Sequence, residues 1–239
     1  MELDGKIALV TGASMGIGKS ISIKLAREAA VIVIAARTLE KLEETKKEIE
    51  SFGGKAFIIC TDLAEQRQID DLFENIKREF GRLDIIINNA AITVTGKLID
   101  FAQEDFDKLI NVNLKAVYLC CQHALKIMVP QKSGIIINIS SNVVYKGYPE
   151  QSIYSATKSG VLAITKSISN EHQQDGISVA IIHPGAVDTG LATQARPDID
   201  RKLLIRPEDI ADTVLYMLKL SDTAWVDEII VRRRSAKPF

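Results

Sequence analysis

The chain has 239 residues, 46% of them hydrophobic and 26% charged, with a formal net charge of −1. That length is within what one α/β sheet reaches without splitting, so a single domain over 1–239 is expected. Near-neutral charge gives no pull toward polyanions and excludes nucleic acid as the main partner, and no apolar stretch approaches the roughly 20 residues of a membrane-spanning helix.

The chain runs directly into Ile7-Ala8-Leu9-Val10, too short for the core of a signal peptide, so a cytoplasmic protein is expected. Residues 6–11 read as a first strand, and Thr11-Gly12-Ala13-Ser14-Met15-Gly16-Ile17-Gly18 as the turn into a helix over 16–29. Glycines there let backbone N–H groups approach a pyrophosphate at the positive end of a helix. Gly12, Ser14, Met15, Gly16, Ile17 and Gly18 are therefore candidate nucleotide contacts, although the spacing departs from GxGxxG. A second strand, 31–36, is followed by Arg37-Thr38. An NAD-binding fold usually places Asp or Glu here against the ribose hydroxyls. A carboxylate would repel a 2′-phosphate, whereas guanidinium can pair with it and stack on adenine, so Arg37 and Thr38 point to NADP(H) in preference to NAD(H).

Further along, helical periodicity over 39–52 carries a solvated Glu/Lys face, strand 56–60 leads into Thr61-Asp62-Leu63, and a helix over 66–80 precedes strand 84–88. Asn88-Asn89-Ala90-Ala91 follows that strand, and one long helix is predicted over 104–129, carrying Asn111-Val112-Asn113. Strand 134–139 ends in Ser140-Ser141, helix 153–174 opens on Tyr154-Ser155-Ala156-Thr157-Lys158, and strand 177–182 leads to Pro184-Gly185. The least regular stretch, 185–206, reads as a mobile loop over a site or a plain connection. Pro207 and two acids open a helix over 207–220, and strand 228–231 precedes Arg232-Arg233-Arg234, read as a solvated end. The strands are almost continuously apolar, as strands covered on both faces must be, so a doubly wound, mostly parallel α/β sheet of seven strands is predicted. Cys60, Cys120 and Cys121 lack CxxC spacing and sit in apolar runs, which predicts buried thiols; the three histidines show no ligand spacing, and no metal is expected.

Tyr154 and Lys158 lie one turn apart on one helix face, where an ammonium could lower a phenol pKa toward working pH. Ser141 would emerge at the carboxyl edge of the sheet, where such folds bind ligands.

Taken together, the turn 11–18, Asn88-Asn89-Ala90, Asn111-Val112-Asn113, Ser140-Ser141, Tyr154–Lys158 and Pro184-Gly185 resemble the classical short-chain dehydrogenase/reductase family, in its order and at its spacings, over nearly the whole chain. The resemblance implies a Rossmann-type sheet, with residues 1–130 mainly binding dinucleotide and 131–239 forming the catalytic and substrate side. It implies a catalytic tetrad of Asn113, Ser141, Tyr154 and Lys158, with Tyr154 exchanging the proton, Ser141 holding the reacting oxygen, Lys158 also binding the nicotinamide ribose and Asn113 holding a water. It places Asp62 and Leu63 at the adenine, Asn89 and Ala90 along the nucleotide, and Ile182, Pro184, Gly185, Val187 and Thr189 at the nicotinamide amide. The residues themselves leave duller roles open: Asn113 capping or kinking its helix, Ser140 and Ser141 an ordinary strand end, Asp62 a helix N-cap. Ala91 and Ala29-Ala30 stand where the family generally has glycine.

The activity implied is NADP(H)-dependent interconversion of a carbonyl and a secondary alcohol on a small molecule. The pattern is similar to 3-oxoacyl-(acyl-carrier-protein) reductases and to small hydroxy-acid dehydrogenases. Because 128–132 and 170–175 hold one lysine between them, a free carbonyl compound is favoured over a carrier-bound acyl chain. An NADP-binding sensor without chemistry is the reading from another class. Association into a homodimer or homotetramer is expected, with Ala116, Val117, Leu119, Ala163 and Ile164 as candidate contacts or as ordinary core.

Overall fold

The structure, a computed structural model, describes residues 2–195 and 198–237. Seven strands, β1 (Ile7–Thr11), β2 (Val31–Ala36), β3 (Lys55–Cys60), β4 (Ile85–Asn88), β5 (Gly134–Ile139), β6 (Ile177–Pro184) and β7 (Glu228–Val231), pair in the order β3-β2-β1-β4-β5-β6-β7. Every pairing is parallel. The helices are α1 (Gly16–Arg27), α2 (Leu39–Glu50), α3 (Gln66–Phe80), α4 (Gln103–Ile110), α5 (Ala116–Gln131), α6 (Ser152–His172), α7 (Gly190–Ala195) and α8 (Pro207–Leu218).

Successive side chains of a strand point to opposite faces, and the strands divide accordingly. Ala8, Val10, Ile32, Ile34, Ile85 and Ile87 join one core with residues of α1, α2 and α8. Leu9, Val33, Ala35, Ile86 and Ile136 join the other with α3, α5 and α6. The strand order reverses between β1 and β4, and a crevice opens at their carboxyl ends, the place where open α/β sheets bind ligands.

Two expectations, the single long helix and the burial of Cys60, are revised. The helix predicted over 104–129 is divided into α4 and α5 by a wide π turn, Asn111–Lys115. One extra residue in a turn hardly disturbs apolar periodicity, so the sequence does not reveal it. The 185–206 connection has contacts of its own: Val187 bridges Ile205, Asp188 N donates to Ile205 O at 2.8 Å, and Asp188 pairs with Arg201 at 2.8 Å. Arg196 and Pro197 of that stretch lie outside the described residues. Cys60 is exposed, because β3 is an edge strand, while Cys120 and Cys121 are buried. Ala116, Val117 and Leu119 are interior packing against the sheet, not an outer face; Ala163 is exposed and Ile164 half-buried.

Ala29 shows what the missing glycine before β2 entails. Its φ is +63°, in the left-handed region, which costs an L-residue roughly 1 kcal/mol relative to glycine. Among the described residues no helix is long and apolar enough to cross a membrane, and no three His, Cys, Asp or Glu side chains gather as a metal-ligand group.

Candidate active site

The crevice begins at the turn after β1. Gly12 has φ +66°, and a Cβ there would lie 2.9 Å from Ala90 Cα. A Cβ on Gly18 would lie 2.3 Å from Gly12 O and 2.6 Å from Asn89 Nδ2, closer than any atoms pack. The turn is this tight because it is tied to the end of β4: Asn89 Nδ2 donates to Thr11 O at 2.9 Å, and Thr11 Oγ1 accepts from Asn89 N at 3.0 Å and Ala90 N at 3.1 Å. The amide of Asn89 thus shapes the glycine turn. At the start of α1, Met15 offers no side-chain cap and the first turn holds no acid, so the leading N–H groups and the positive helix end are available to an anion. Gly18→Ala is expected to weaken NADPH binding at least tenfold and to destabilise the fold by about 1–3 kcal/mol through overpacking. Cofactor fluorescence titration and urea unfolding measure the two effects, and an unchanged affinity would remove the turn from the binding site.

From this turn a cavity of about 380 Å³ runs along the sheet edge. At one end it is lined by Arg37, Thr38, Asp62 and Leu63, in the middle by Gly12, Ser14, Met15, Gly16, Ile17, Asn89 and Ala90, and beyond them by Ser141, Tyr154, Lys158, Pro184, Gly185, Val187 and Thr189. Of the sequence candidates only Gly18, Asn113 and Ile182 stand behind its wall. Asp62 lines the cavity, and its Oδ1 accepts from Ala64 N at 2.9 Å in the turn before α3; the N-cap of that helix is Glu65, not Asp62.

The groups suited to proton transfer meet on α6. Tyr154 is 8% and Lys158 2% exposed, and Lys158 Nζ donates to Ile139 O at 3.0 Å while lying 5.8 Å from the Tyr154 ring centre. Burial disfavours the charged form of each. It pushes the phenol up to about 12, against a hydrogen bond with Ser141 that acts the other way, and pulls the lysine down to about 8. The phenol is therefore not brought toward working pH by the polypeptide itself, contrary to the sequence expectation.

Neighbouring elements fix these groups. Ser140 Oγ donates to Lys158 O at 3.1 Å, tying the end of β5 to α6, and Val143 N donates to Ser141 Oγ at 3.4 Å. Behind Ser141 the buried His183 on β6 presents Nδ1 to Ser141 O at 3.3 Å and Nε2 to Glu228 Oε1 at 3.1 Å. Burial pushes this imidazole down to about 4, while its hydrogen bond with Ser141 O acts the other way. Asn113 lies in the π turn with its amide engaged by Ile92, accepting from Ile92 N and donating to Ile92 O at 2.9 Å each. Its side chain thus pins the loop after β4.

Sequence reading missed several groups that line the cavity, among them Thr93, Asn142, Gln151, Leu191, Ile199 and Arg233. Tyr148 lines it as well. Arg233 is the largest revision, since a tail read as solvated returns its second arginine to the cleft. Only the pairing of β7 beside β6 reveals this, and that pairing is not written in the tail itself.

Comparison with known proteins matches this geometry. The family model described as short chain dehydrogenase matches residues 6–200. The chain belongs to the short-chain dehydrogenase family. An uncharacterized oxidoreductase of Staphylococcus aureus is 38% identical over 230 residues, covering 96% of this chain and 98% of the relative. The 3-oxoacyl-[acyl-carrier-protein] reductase FabG of Thermotoga maritima is 34% identical over 226 residues, covering 91% and 92%. Among solved structures, a metagenomic short-chain oxidoreductase in complex with NADP superposes with a TM-score of 0.87 at 32% identity, covering 99% of this chain and 100% of the other. An alcohol dehydrogenase from the archaeon Thermococcus sibiricus, complexed with 5-hydroxy-NADP, gives 0.90 at 26% identity with the same coverage. This short-chain dehydrogenase is accordingly an NAD(P)-dependent oxidoreductase. The matched span ends at residue 200, so the β7 end of the cleft, with Arg233, lies beyond what the family model describes.

Proposed function

We propose that this short-chain dehydrogenase uses NADP(H) to interconvert a carbonyl and a secondary alcohol on a small molecule, with Tyr154 as general acid and base. The observation that carries this reading is convergence: Tyr154, Ser141 and Lys158 line the same cavity as the glycine turn and Arg37. The close approach at Gly12 and Gly18, the uncapped, acid-free start of α1 and the length of the cleft fit a dinucleotide. Gly12, Ser14, Met15, Gly16 and Ile17 would hold its pyrophosphate, Arg37 and Thr38 its 2′-phosphate, Asp62 and Leu63 its adenine, and Pro184, Gly185, Val187 and Thr189 its nicotinamide amide. Bound there, the nicotinamide supplies or accepts a hydride.

The protein's own part is proton transfer and orientation. Tyr154 Oη gives its proton to the carbonyl oxygen on reduction and recovers it on oxidation, so that no isolated alkoxide forms. Ser141 Oγ hydrogen-bonds the same oxygen and orients it. Lys158, a buried cation beside the phenol, stabilises the phenolate that remains. The Asn111–Lys115 turn packs against α6 and would hold the water that links Lys158 to solvent. A cytoplasmic homo-oligomer belongs to the same reading, with the exposed Phe106 and Tyr118 supplying apolar surface on α4 and α5.

Preference for NADP(H) is supported by Arg37, whose exposed side chain has no carboxylate partner among the described residues, and by the NADP-type ligands of both structural neighbours. Arg37→Ala is expected to weaken NADPH binding by about 10–100-fold, the range for losing a charged hydrogen bond, and NADH binding hardly at all. Fluorescence titration with both cofactors measures it, and equal losses would mean that Arg37 does not meet the 2′-phosphate.

The alternative substrate is an acyl chain on a carrier protein, as the name of the Thermotoga relative suggests. The ends of α5 and α6 speak against it. Lys132 is paired with Asp175 at 3.2 Å, and His172 faces the same carboxylate at 2.9 Å, which leaves little free positive charge there for an acidic carrier. Turnover of a carrier thioester compared with a panel of small ketones, followed at the nicotinamide band, tests both readings. A strong preference for the carrier form would replace the free-substrate reading, and no turnover of either would remove the carbonyl reading.

A further inference from the structure

The β7 end of the cleft has its own charge pattern. Val231 pairs with Pro184, and its carbonyl accepts from Gly185 N at 2.8 Å, so the chain leaving β7 starts at the cleft wall. Arg232 then folds the tail onto itself, donating to Arg233 O at 3.1 Å and also to Ala236 O. In consequence Arg233 and Ala236 line the cavity. Arg233 is half-buried, its NH1 donates to Ser235 Oγ at 3.3 Å, and among the described residues no carboxylate pairs with it.

The other charges lining the cavity are distributed unevenly. Arg37 and Asp62 flank the β2–β3 end and Lys158 lies at the middle, so Asp62 is the one lining carboxylate among the described residues. The remaining polar residues of the lining are neutral. A Cβ on Gly185 would meet Asn142 Nδ2 and Val231 O, which sets Asn142 beside the start of the tail. Gln151, 7% exposed, also lines the cavity, and its side-chain amide has no hydrogen-bond partner among the described residues. An arginine that lines a partly enclosed cavity without a carboxylate partner favours an anion, and its planar fork matches a carboxylate. The α1 terminus and Arg37 offer sites for the cofactor's phosphates elsewhere along the cleft, which leaves Arg233 for the substrate.

Building on the carbonyl–alcohol reading, we propose that Arg233 is a specificity-determining residue that binds a carboxylate of the substrate. The natural substrate is then a small oxo acid or hydroxy acid, with the carboxylate and the reacting carbon in one molecule. Arg233 pairs with the carboxylate while the neutral donors Asn142 and Gln151 complete the polar wall.

Two measurements test this. The first is binding: butyrate and butyramide are titrated into the NADPH complex of the parent and of Arg233→Ala, followed by cofactor fluorescence. The parent should bind butyrate at least tenfold more tightly than butyramide, and the variant should lose that difference while keeping its affinity for NADPH. The second is turnover of short oxo acids and their methyl esters. In the parent kcat/KM should favour the acids, and Arg233→Ala should raise KM for the acids by about 10–100-fold with the esters unchanged, while Arg233→Lys restores part of the preference. Equal binding of butyrate and butyramide, or equal losses for acid and ester, would overturn the assignment. A weakened NADPH affinity in the variant would instead make Arg233 a phosphate ligand. If the parent reduces the esters well but shows no preference for the acids, the inference fails and the carbonyl reading stands. If it binds butyrate through Arg233 but reduces no carbonyl, the reading fails and the anion site remains.

Discussion

Replacement of Tyr154 by phenylalanine is expected to lower kcat for carbonyl reduction by about 1,000-fold, within the range of roughly 100- to 10,000-fold for loss of a positioned proton donor. The Kd for NADPH should stay within about twofold, because the proposed binding energy comes from the glycine turn, α1 and Arg37, none of which the phenol supports. The side chain is buried and its hydroxyl meets Ser141, so removing one oxygen should change stability by no more than about 1 kcal/mol. The pH dependence gives a second readout. Burial pushes the phenol up to about 12, so the protonated form needed for reduction persists through the neutral and mildly alkaline range. Oxidation needs the phenolate and should speed up as pH rises. Both dependences should vanish in the variant. Steady-state rates in the two directions between pH 6 and 10, with a cofactor titration, decide the matter. A variant within tenfold of the parent would leave the protein as an NADP-binding module whose phenol does no chemistry.

The sequence makes the sheet legible because burial on both faces requires long apolar runs, and β1, β2 and β5 consist of little else. The cofactor side of the site is legible for a related reason. A glycine turn, an arginine after β2 and the Tyr154–Lys158 spacing are local patterns, each carried by residues close together in the chain. What sequence reading does not reach depends on non-local geometry. The π turn at Asn111–Lys115 is invisible to periodicity, and with it the engagement of the Asn113 amide by Ile92. The effect of Lys158 on Tyr154 was anticipated from their spacing alone, yet its size depends on how deeply both are buried and on Ile139 O drawing the ammonium. Arg233 comes to the cleft only because β7 adds beside β6, placing residues 231 and 184 in register. Cys60 reads as buried from its apolar run, but β3 is the edge strand of the sheet.

Lys158→Met is expected to move activity and stability in opposite directions. Activity should fall by at least 100-fold, since the variant loses the one cation placed to stabilise the Tyr154 phenolate, an effect of the size attributed to charged groups in catalytic sites. The fold should become more stable. Burial pulls Lys158 from 10.5 to about 8; at about 1.4 kcal/mol per tenfold change, this disfavours the folded ammonium by roughly 3 kcal/mol at neutral pH. Methionine has nearly the same length and carries no charge, and its main drawback is the lost hydrogen bond to Ile139 O, worth about 1 kcal/mol. A net gain of about 1–2 kcal/mol follows, or roughly 2–8 °C in Tm for a chain of this size.

The sign can be checked against pH. Between about 8 and 10.5 the unfolded lysine holds a proton that the folded one has lost, so the parent gains stability as pH rises through this window. Below pH 8 the penalty is fully present, and above 10.5 it has gone. Urea unfolding of both proteins without cofactor should therefore show the largest gap at pH 7 and a shrinking one by pH 10. A variant less stable than the parent at pH 7, or a gap indifferent to pH, would mean that the ammonium is better accommodated than its burial implies. Saturating NADPH should narrow the gap at pH 7 as well, because a ligand that interacts favourably with Lys158 stabilises the parent more than the variant. The destabilising buried charge would then be the same group that the bound cofactor requires.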